Sequence, residues 1–451
     1  MGTATPTAAP PQLLTSLDEM GERAARAVAQ SPADHTLVTW FEVRRGRAQE
    51  SARTRRAEQE IVRHLLVRVR TSGRSGSFRC ESADAAALQS AIRSALAVAR
   101  GAPRSPDWPD RPPLPAPAGD AFFDPELAQL SPAAAQQRLE SWSERRASLR
   151  WSWSEARLVV AADGSAPRAL RFTASTLEAR TGRRPGSGFA AASSRHLAAL
   201  GPAAIVARAR EREAESDLAP PIGERALWLA PEACAVLVEA LARVGFSSAA
   251  WSSGRGWLAE TLGRPVLAAR VGLVDDPTSP EGQPLPFDLD GTPTAPQVLV
   301  ERGTPVAPVF DLELAARAGR RPTGHGVASD DAFPLHPRLL PGGASDADLG
   351  ALAADGLRIG ALENIEVMPT PDLAFRARAR GVRRIGGDGA LGPATSQRIW
   401  HDSLVRVFSD LEAVGAESVA WSVRGGELDS TLAAAIVVPR PRRLTPAPDD
   451  R

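Results

Sequence analysis

The chain has no tyrosine, no lysine and one asparagine, Asn364, among its 451 residues. These absences exclude a Schiff-base lysine, a Gly-Lys-Ser/Thr phosphate loop, and a tyrosine nucleophile or general acid. Cysteine is nearly absent as well. Cys80 and Cys234 lie too far apart for a disulfide framework or a CxxC metal knuckle. Neither sign of charge dominates: 54 basic residues, all arginine, face 53 acidic ones, for a net charge of +1. That balance gives no reason to expect nucleic acid or an anionic membrane as partner. No apolar run approaches the ~20 residues needed to cross a bilayer. The first ten residues lack the charged-then-apolar pattern of a signal peptide. The expectation is a soluble, cytoplasmic protein whose Ala, Arg, Pro and Gly usage reflects a GC-rich genome.

What is present reads as an α+β chain of two domains. Residues 1–34 are expected to be disordered or loosely helical. An N-terminal α/β domain over 35–220 combines an antiparallel meander with helices. A strand-rich domain follows over 221–440, then a tail over 441–451. The meander is read from 37–43, 61–69 and 77–80, with Ser72-Gly73 and Ser75-Gly76 as turns. Residues 84–100 carry an amphipathic helical period. Prolines across 102–119 exclude helix and interior strand. Ser131-Pro132 opens a helix to about 146, with serine as N-cap and proline at the first helical position. Asp163-Gly164 lies between two strands as a hairpin turn. Pro202 opens a helix to 215, and 217–221 marks the domain break. In the second half, strands are expected at 226–229, 266–274, 297–300, 357–362, 418–423 and 432–438. Helices are expected at 231–243, 312–318 and 402–412.

Chemistry-bearing patterns are sparse. The six histidines are His35, His64, His196, His325, His336 and His401; no HExxH motif occurs. The best metal or hydrolase candidate is His325, Asp330, Asp331 and His336, in a Gly/Pro-rich loop that also reads as a plain solvated loop. Asp275-Asp276 and the Asp288/Asp290 pair can serve acid–base chemistry or simply form turns. Ser252-Ser253-Gly254 and Gly186-Ser187-Gly188 are turn-like and lack the Gly-x-Ser-x-Gly elbow. Cys234 lies among apolar residues on a helix, which suits an inert buried thiol. Trp151 and Trp153, two apart on one strand face, could present a paired aromatic surface.

The order of several segments resembles the TldD/PmbA family of metallopeptidase-related proteins. The similar segments are Leu66-Val-Arg-Val-Arg-Thr-Ser-Gly-Arg-Ser-Gly and Phe123-Asp-Pro-Glu-Leu-Ala-Gln-Leu-Ser, then Val274-Asp-Asp-Pro and Phe287-Asp-Leu-Asp-Gly-Thr-Pro-Thr. They continue through Val298-Leu-Val-Glu-Arg-Gly, Ala315-Ala-Arg-Ala-Gly-Arg-Arg-Pro-Thr-Gly and Val405-Arg-Val-Phe-Ser-Asp-Leu-Glu-Ala-Val-Gly. The resemblance spans about residues 35 to 440. Pro371-Asp-Leu-Ala-Phe departs from the family's usual Gly-Asp-Phe turn.

The family pairs a catalytic TldD-like subunit, with a helical His-Glu-x-x-x-His zinc motif and a late cysteine ligand, with a TldE/PmbA-like subunit lacking them. The matching helix text here is Leu237-Val-Glu-Ala-Leu-Ala-Arg. Val238 and Arg243 stand at the histidine positions and Glu239 at the general-base position, and no cysteine follows Cys234. The resemblance therefore implies a non-catalytic TldE/PmbA-like subunit, with no catalytic residue and no cofactor of its own. It further implies zinc in a TldD-like partner, and short or unstructured peptides as substrates for proteolysis or maturation. The alternatives are a free-standing peptide-binding scaffold, or a hydrolase using the His325–His336 loop.

Overall fold

The computed structural model describes residues 13–82, 84–109, 119–144, 147–183, 186–215, 223–254, 256–327, 332–368, 370–396 and 398–446. The N-terminal 1–12, prolines within 110–118, the break at 217–221, Asp330, Asp331 and tail residues 447–451 lie outside them. The chain forms two compact units. One comprises 1–45, 59–104 and 155–171; the other comprises 46–58, 105–154 and 172–451.

Strands β1 (His35–Glu50), β2 (Arg55–Thr71), β3 (Arg74–Cys80), β4 (Ser148–Ala162), β5 (Arg168–Thr181) and β6 (Gly188–Ser194) make a sheet in the order β3-β2-β1-β4-β5-β6. β1, β2, β4 and β5 are long and contribute residues to both units. In the first unit, α1 (Leu17–Ala29) and α2 (Ala85–Gly101) bury their apolar stripes against alternate strand residues. Met20, Ala24, Leu88, Ile92 and Ala95 meet Val38, Trp40, Leu65, Val67 and Val159. Asp84 caps α2 by accepting from the Ala87 N–H at 2.7 Å. Ser72 and Gly73 both have positive φ, 50° and 73°, as the tight hairpin between β2 and β3 requires.

Ser75-Gly76 is not a turn but lies within β3. A Cβ on Gly76 would stand 2.2 Å from the Ala95 carbonyl oxygen and 2.4 Å from the Ala99 nitrogen. Glycine is there so that the α2 backbone can lie directly on the strand. We expect Gly76→Ala to destabilise the fold by about 2 kcal/mol or more, because backbone rather than a flexible side chain must yield. A urea midpoint equal to the parent's would contradict this packing.

The second unit has more than one core. In one, α3 (Pro132–Trp142) and α4 (Pro202–Glu211) cover Leu149, Trp151, Trp153, Leu177 and Ala190. Ser131 caps α3 with Pro132 behind it, although the helix stops at Trp142 and α4 at Glu211, short of expectation. Trp151 and Trp153 are 1% and 2% exposed, so they form core rather than a surface. Their rings lie 5.2 Å apart, and the Trp151 indole N–H donates to Ser175 Oγ at 2.8 Å.

Another core is built on a large mixed sheet. Its strands are β7 (Arg225–Leu229), β8 (Leu273–Asp275), β9 (Gln297–Glu301), β10 (Thr304–Pro305), β11 (Pro337–Leu339) and β12 (Leu357–Ile359). After β13 (Ala361–Val367) and β14 (Ala374–Arg380) come β15 (Arg383–Ile385), β16 (Leu391–Ala394), β17 (Arg398–Ser403), β18 (Ala413–Trp421), β19 (Thr431–Arg442) and β20 (Leu444–Pro446). The order is β10-β9-β8-β11-β19-β7-β12-β15-β16, with β18 also on β19; β13-β14-β17-β20 form a separate sheet. The strand expected over 266–274 reduces to β8. Val266 and Leu267 instead donate to the Gly303 carbonyl, and Ala268 to that of Phe408. The 402–412 helix is confined to Leu404–Ser409.

From β7 the chain turns at Ala230, whose N–H donates to Ile359 O, and enters α5 (Pro231–Ala240). Every residue of α5 from Glu232 to Ala240 is buried. Helical segments run on to Ser252, and Pro231–Ser252 has the length and apolarity of a membrane span, with a mean hydropathy of 1.5 over its most apolar 18 residues. That corrects the expectation that no such stretch exists. The best window within it is 78% buried inside the protein, as befits a central core helix.

Candidate functional site

α5 carries the positions where the resemblance calls for metal ligands. Val238 is fully buried and belongs to the hydrophobic core. Arg243 lies in a single π-helical turn, Leu241–Gly245, that continues α5. Its guanidinium stacks 3.9 Å from the Phe333 ring centroid, and its Nε donates to Glu239 Oε1 at 2.9 Å. Arg424 closes on the same carboxylate from the loop after β18, donating from Nε to Oε1 at 2.7 Å and from Nη2 to Oε2 at 3.3 Å. Glu239 is 6% exposed. A carboxylate so placed is committed to two cations. Half-buried Asp429 is electrostatically coupled to this group. Burial first, and then the Glu239 charge, push its carboxyl up to about 6.

Zinc does not fit this helix. Valine has no donor atom, and a permanently protonated guanidinium offers no lone pair. Cys234 is fully buried, and burial pushes its thiol upward, away from the thiolate a metal needs. Among the described residues no group of three His, Cys, Asp or Glu side chains could hold a metal ion.

Glu239 lines a cavity of about 620 Å³ within the second unit. Its charged walls are Arg150, Glu178, Arg180, Glu363 and Arg424; its apolar walls include Phe189, Val236 and Trp421. Glu363 is shared by Arg180 and by Arg380, whose Nε lies 2.8 Å away. Arg180 also lies 4.5 Å from the Phe189 ring centroid. Burial raises the Glu178 carboxyl, an effect opposed by Arg180 and Arg150. Of these walls, sequence reading singled out only Glu239; the remainder come from elements far apart in the chain and carry no local signal.

The histidine loop is a different kind of place. His325 and His336 come together at Asp275, at 1% and 2% exposure. His325 Nε2 is 2.9 Å from Asp275 Oδ2, and its Nδ1 is 2.9 Å from Thr323 Oγ1. Asp275 Oδ1 accepts the His336 backbone N–H at 2.6 Å. His336 Nε2 donates to the Gln283 carbonyl at 2.9 Å, and burial drives the imidazole down to about 4. The hydroxyl–imidazole–carboxylate row resembles a catalytic relay in outline. The Thr323 hydroxyl, however, already accepts from Phe310 N and donates to Phe310 O. These contacts tie loops together away from solvent.

The Phe287-Asp-Leu-Asp-Gly segment has the same structural role. Asp288 accepts backbone N–H groups from Asp290, Thr292 and Gly326, and Asp290 Oδ2 accepts from Leu312 N at the start of helix α6 (Leu312–Ala318). Burial and the neighbouring Asp290 hold the Asp288 carboxyl well above the ordinary range. Ser253 ends a short helix by donating to Ala250 O, and Gly188 lets the Ala209 carbonyl approach β6.

Residues 223–440 match the family described as PmbA/TldA metallopeptidase C-terminal domain. That part of the chain belongs to the TldD/PmbA family. Two solved structures share its fold across nearly their full lengths. One is a candidate modulator of a DNA gyrase from Thermotoga maritima, with 18% identity, 95% of this chain and 100% of that one covered, and a TM-score of 0.77. The other is TldE from Thermococcus kodakarensis, with 17% identity, coverage of 94% and 100%, and a TM-score of 0.77. No curated protein matches the chain.

Proposed function

We propose that this chain is the non-catalytic TldE/PmbA-like subunit of a TldD/TldE-type metallopeptidase that acts on short or unstructured peptides. The observation that carries the reading is the occupied general-base position: Glu239 is neutralised by Arg243 and Arg424, on a helix whose ligand positions are valine and arginine. Zinc and water activation then fall to a TldD-like partner. The fold shared with TldE supports the pairing. The reading as a hydrolase centred on His325 and His336 draws no support from their burial.

The test is to mix the purified chain with a TldD-like protein from the same genome that keeps its zinc motif. Co-elution on size exclusion, peptidase activity appearing only in the complex, and zinc stoichiometry confined to the partner are expected. Separate elution at micromolar concentration, or zinc-dependent hydrolysis by this chain alone, overturns the reading.

A further inference from the structure

The cavity beside Glu239 has a charge arrangement that the subunit role does not call for. Two of its carboxylates are each shared by two guanidiniums: Glu239 by Arg243 and Arg424, Glu363 by Arg180 and Arg380. Each carboxylate thus faces two guanidiniums, and the Asp429 carboxyl stands beside the Glu239 group. Arg150, also on the wall, makes no ion pair among the described residues, although its charge bears on Glu178. Burial raises the Glu178 carboxyl, which weakens the one acidic group on the wall that has no ion pair of its own.

Part of the wall is apolar. Phe189 and Trp421 meet edge to face at 5.7 Å, with Val236 beside them in the core and Ile365 and Val423 packed against it. Trp421 is 6% exposed, and its buried indole N–H has no acceptor among the described residues. A further feature lies on the rim. Asn364, the only asparagine of the chain, has φ 51° at a bulge in β13 between Glu363 and Glu366. Asparagine tolerates this left-handed conformation, and bulges beside pockets re-aim side chains.

We propose that this cavity binds an organic carboxylate, with the guanidiniums of Arg150 and Arg424 taking the anion and the Phe189–Trp421 wall taking its apolar stem. Guanidinium matches the planar carboxylate fork, and the aromatic wall selects for a hydrophobic group attached to it. The free C-terminus of a peptide and a free aryl or alkyl acid share this chemistry. The inference stands apart from the subunit reading: failure of complex formation leaves carboxylate binding untouched, and the reverse also holds.

Isothermal titration of the full chain with N-acetyl-Ala-Phe, its C-terminal amide and 3-phenylpropanoate tests it. The free acid is expected to bind about tenfold or more tightly than the amide, the scale of one charge-assisted contact. Arg150→Gln, an exposed side chain whose loss should leave the melting curve unchanged, is expected to weaken the acid by a similar factor. Arg424→Gln should do likewise. If N-acetyl-Ala-Phe exceeds 3-phenylpropanoate by about tenfold, the source is a peptide terminus; equal binding assigns a free acid. Equal affinity for acid and amide, no binding at millimolar concentration, or unchanged affinity in a normally folded Arg150→Gln overturns the proposal.

Discussion

Replacing Arg195 by methionine is expected to lower the stability of the second unit by roughly 3 kcal/mol or more, a large part of the margin of a typical domain. Arg195 is 1% exposed, and its donors go to backbone carbonyls. Nε donates to Pro284 O at 3.2 Å, Nη1 to Thr173 O at 3.1 Å and Glu427 O at 2.8 Å, and Nη2 to Gln283 O at 2.8 Å. The guanidinium also lies 4.7 Å from the Phe172 ring centroid. Burial lowers its pKa to about 9, so it remains charged at neutral pH. Methionine fills much of the space but leaves buried carbonyls without donors, and each orphan costs about 1 kcal/mol or more. Arg195→Lys should fall between the two, because an ammonium has three donors and lacks the planar fork. Urea denaturation checks the series. Parental midpoints for Arg195→Met would show that the carbonyls find other partners and that the residue is not the tie it resembles.

The second large effect is a pair of opposed pH dependences. His336 is held neutral, at about 4 in the folded protein against an ordinary value near 6.5. Below about pH 6.5 the unfolded chain takes up a proton that the folded chain refuses until about pH 4. Stability linked to His336 is thus fully present above 6.5 and lost as pH falls through that window, by at most about 3 kcal/mol. Asp429 is raised to about 6 from 3.8, chiefly by burial and then by Glu239. Its linked stability is present below 3.8 and lost as pH rises towards 6. Between pH 4 and 6 the two slopes have opposite sign.

Asp429→Asn should therefore make the fall in stability on acidification steeper than in the parent. His336→Gln, whose amide can still donate to Gln283 O, should make it shallower or reverse it. Comparing slopes between variants cancels the other titrating groups. Three parallel plots of urea midpoint against pH would refute both assignments.

Much of the local structure was legible from residue type and spacing. Asp84 before an alanine-rich amphipathic run, Ser131-Pro132 and Ser72-Gly73 each satisfy a backbone requirement within a few residues. Such signals survive in a linear text because capping and tight turns are local geometry. Gly76 and the 266–272 segment were misleading for the opposite reason. Their conformations are set by α2, Gly303 and Phe408, which lie elsewhere in the chain.

The sequence by itself determined that the helix at 238–243 cannot ligate zinc, because donor atoms are a property of residue type. Only the tertiary structure decided what became of the site. Arg424 reaches Glu239 across 185 positions and Arg180 reaches Glu363 across 183. It also decided that His325 and His336 are buried ties at Asp275, and that Arg150, Arg180 and Arg424 line one cavity. Charge pairing depends on distance in space and on dielectric surroundings, and a near-neutral sequence rich in arginine leaves very many pairings open. The packing of β5, β13, β18 and α5 selects among them.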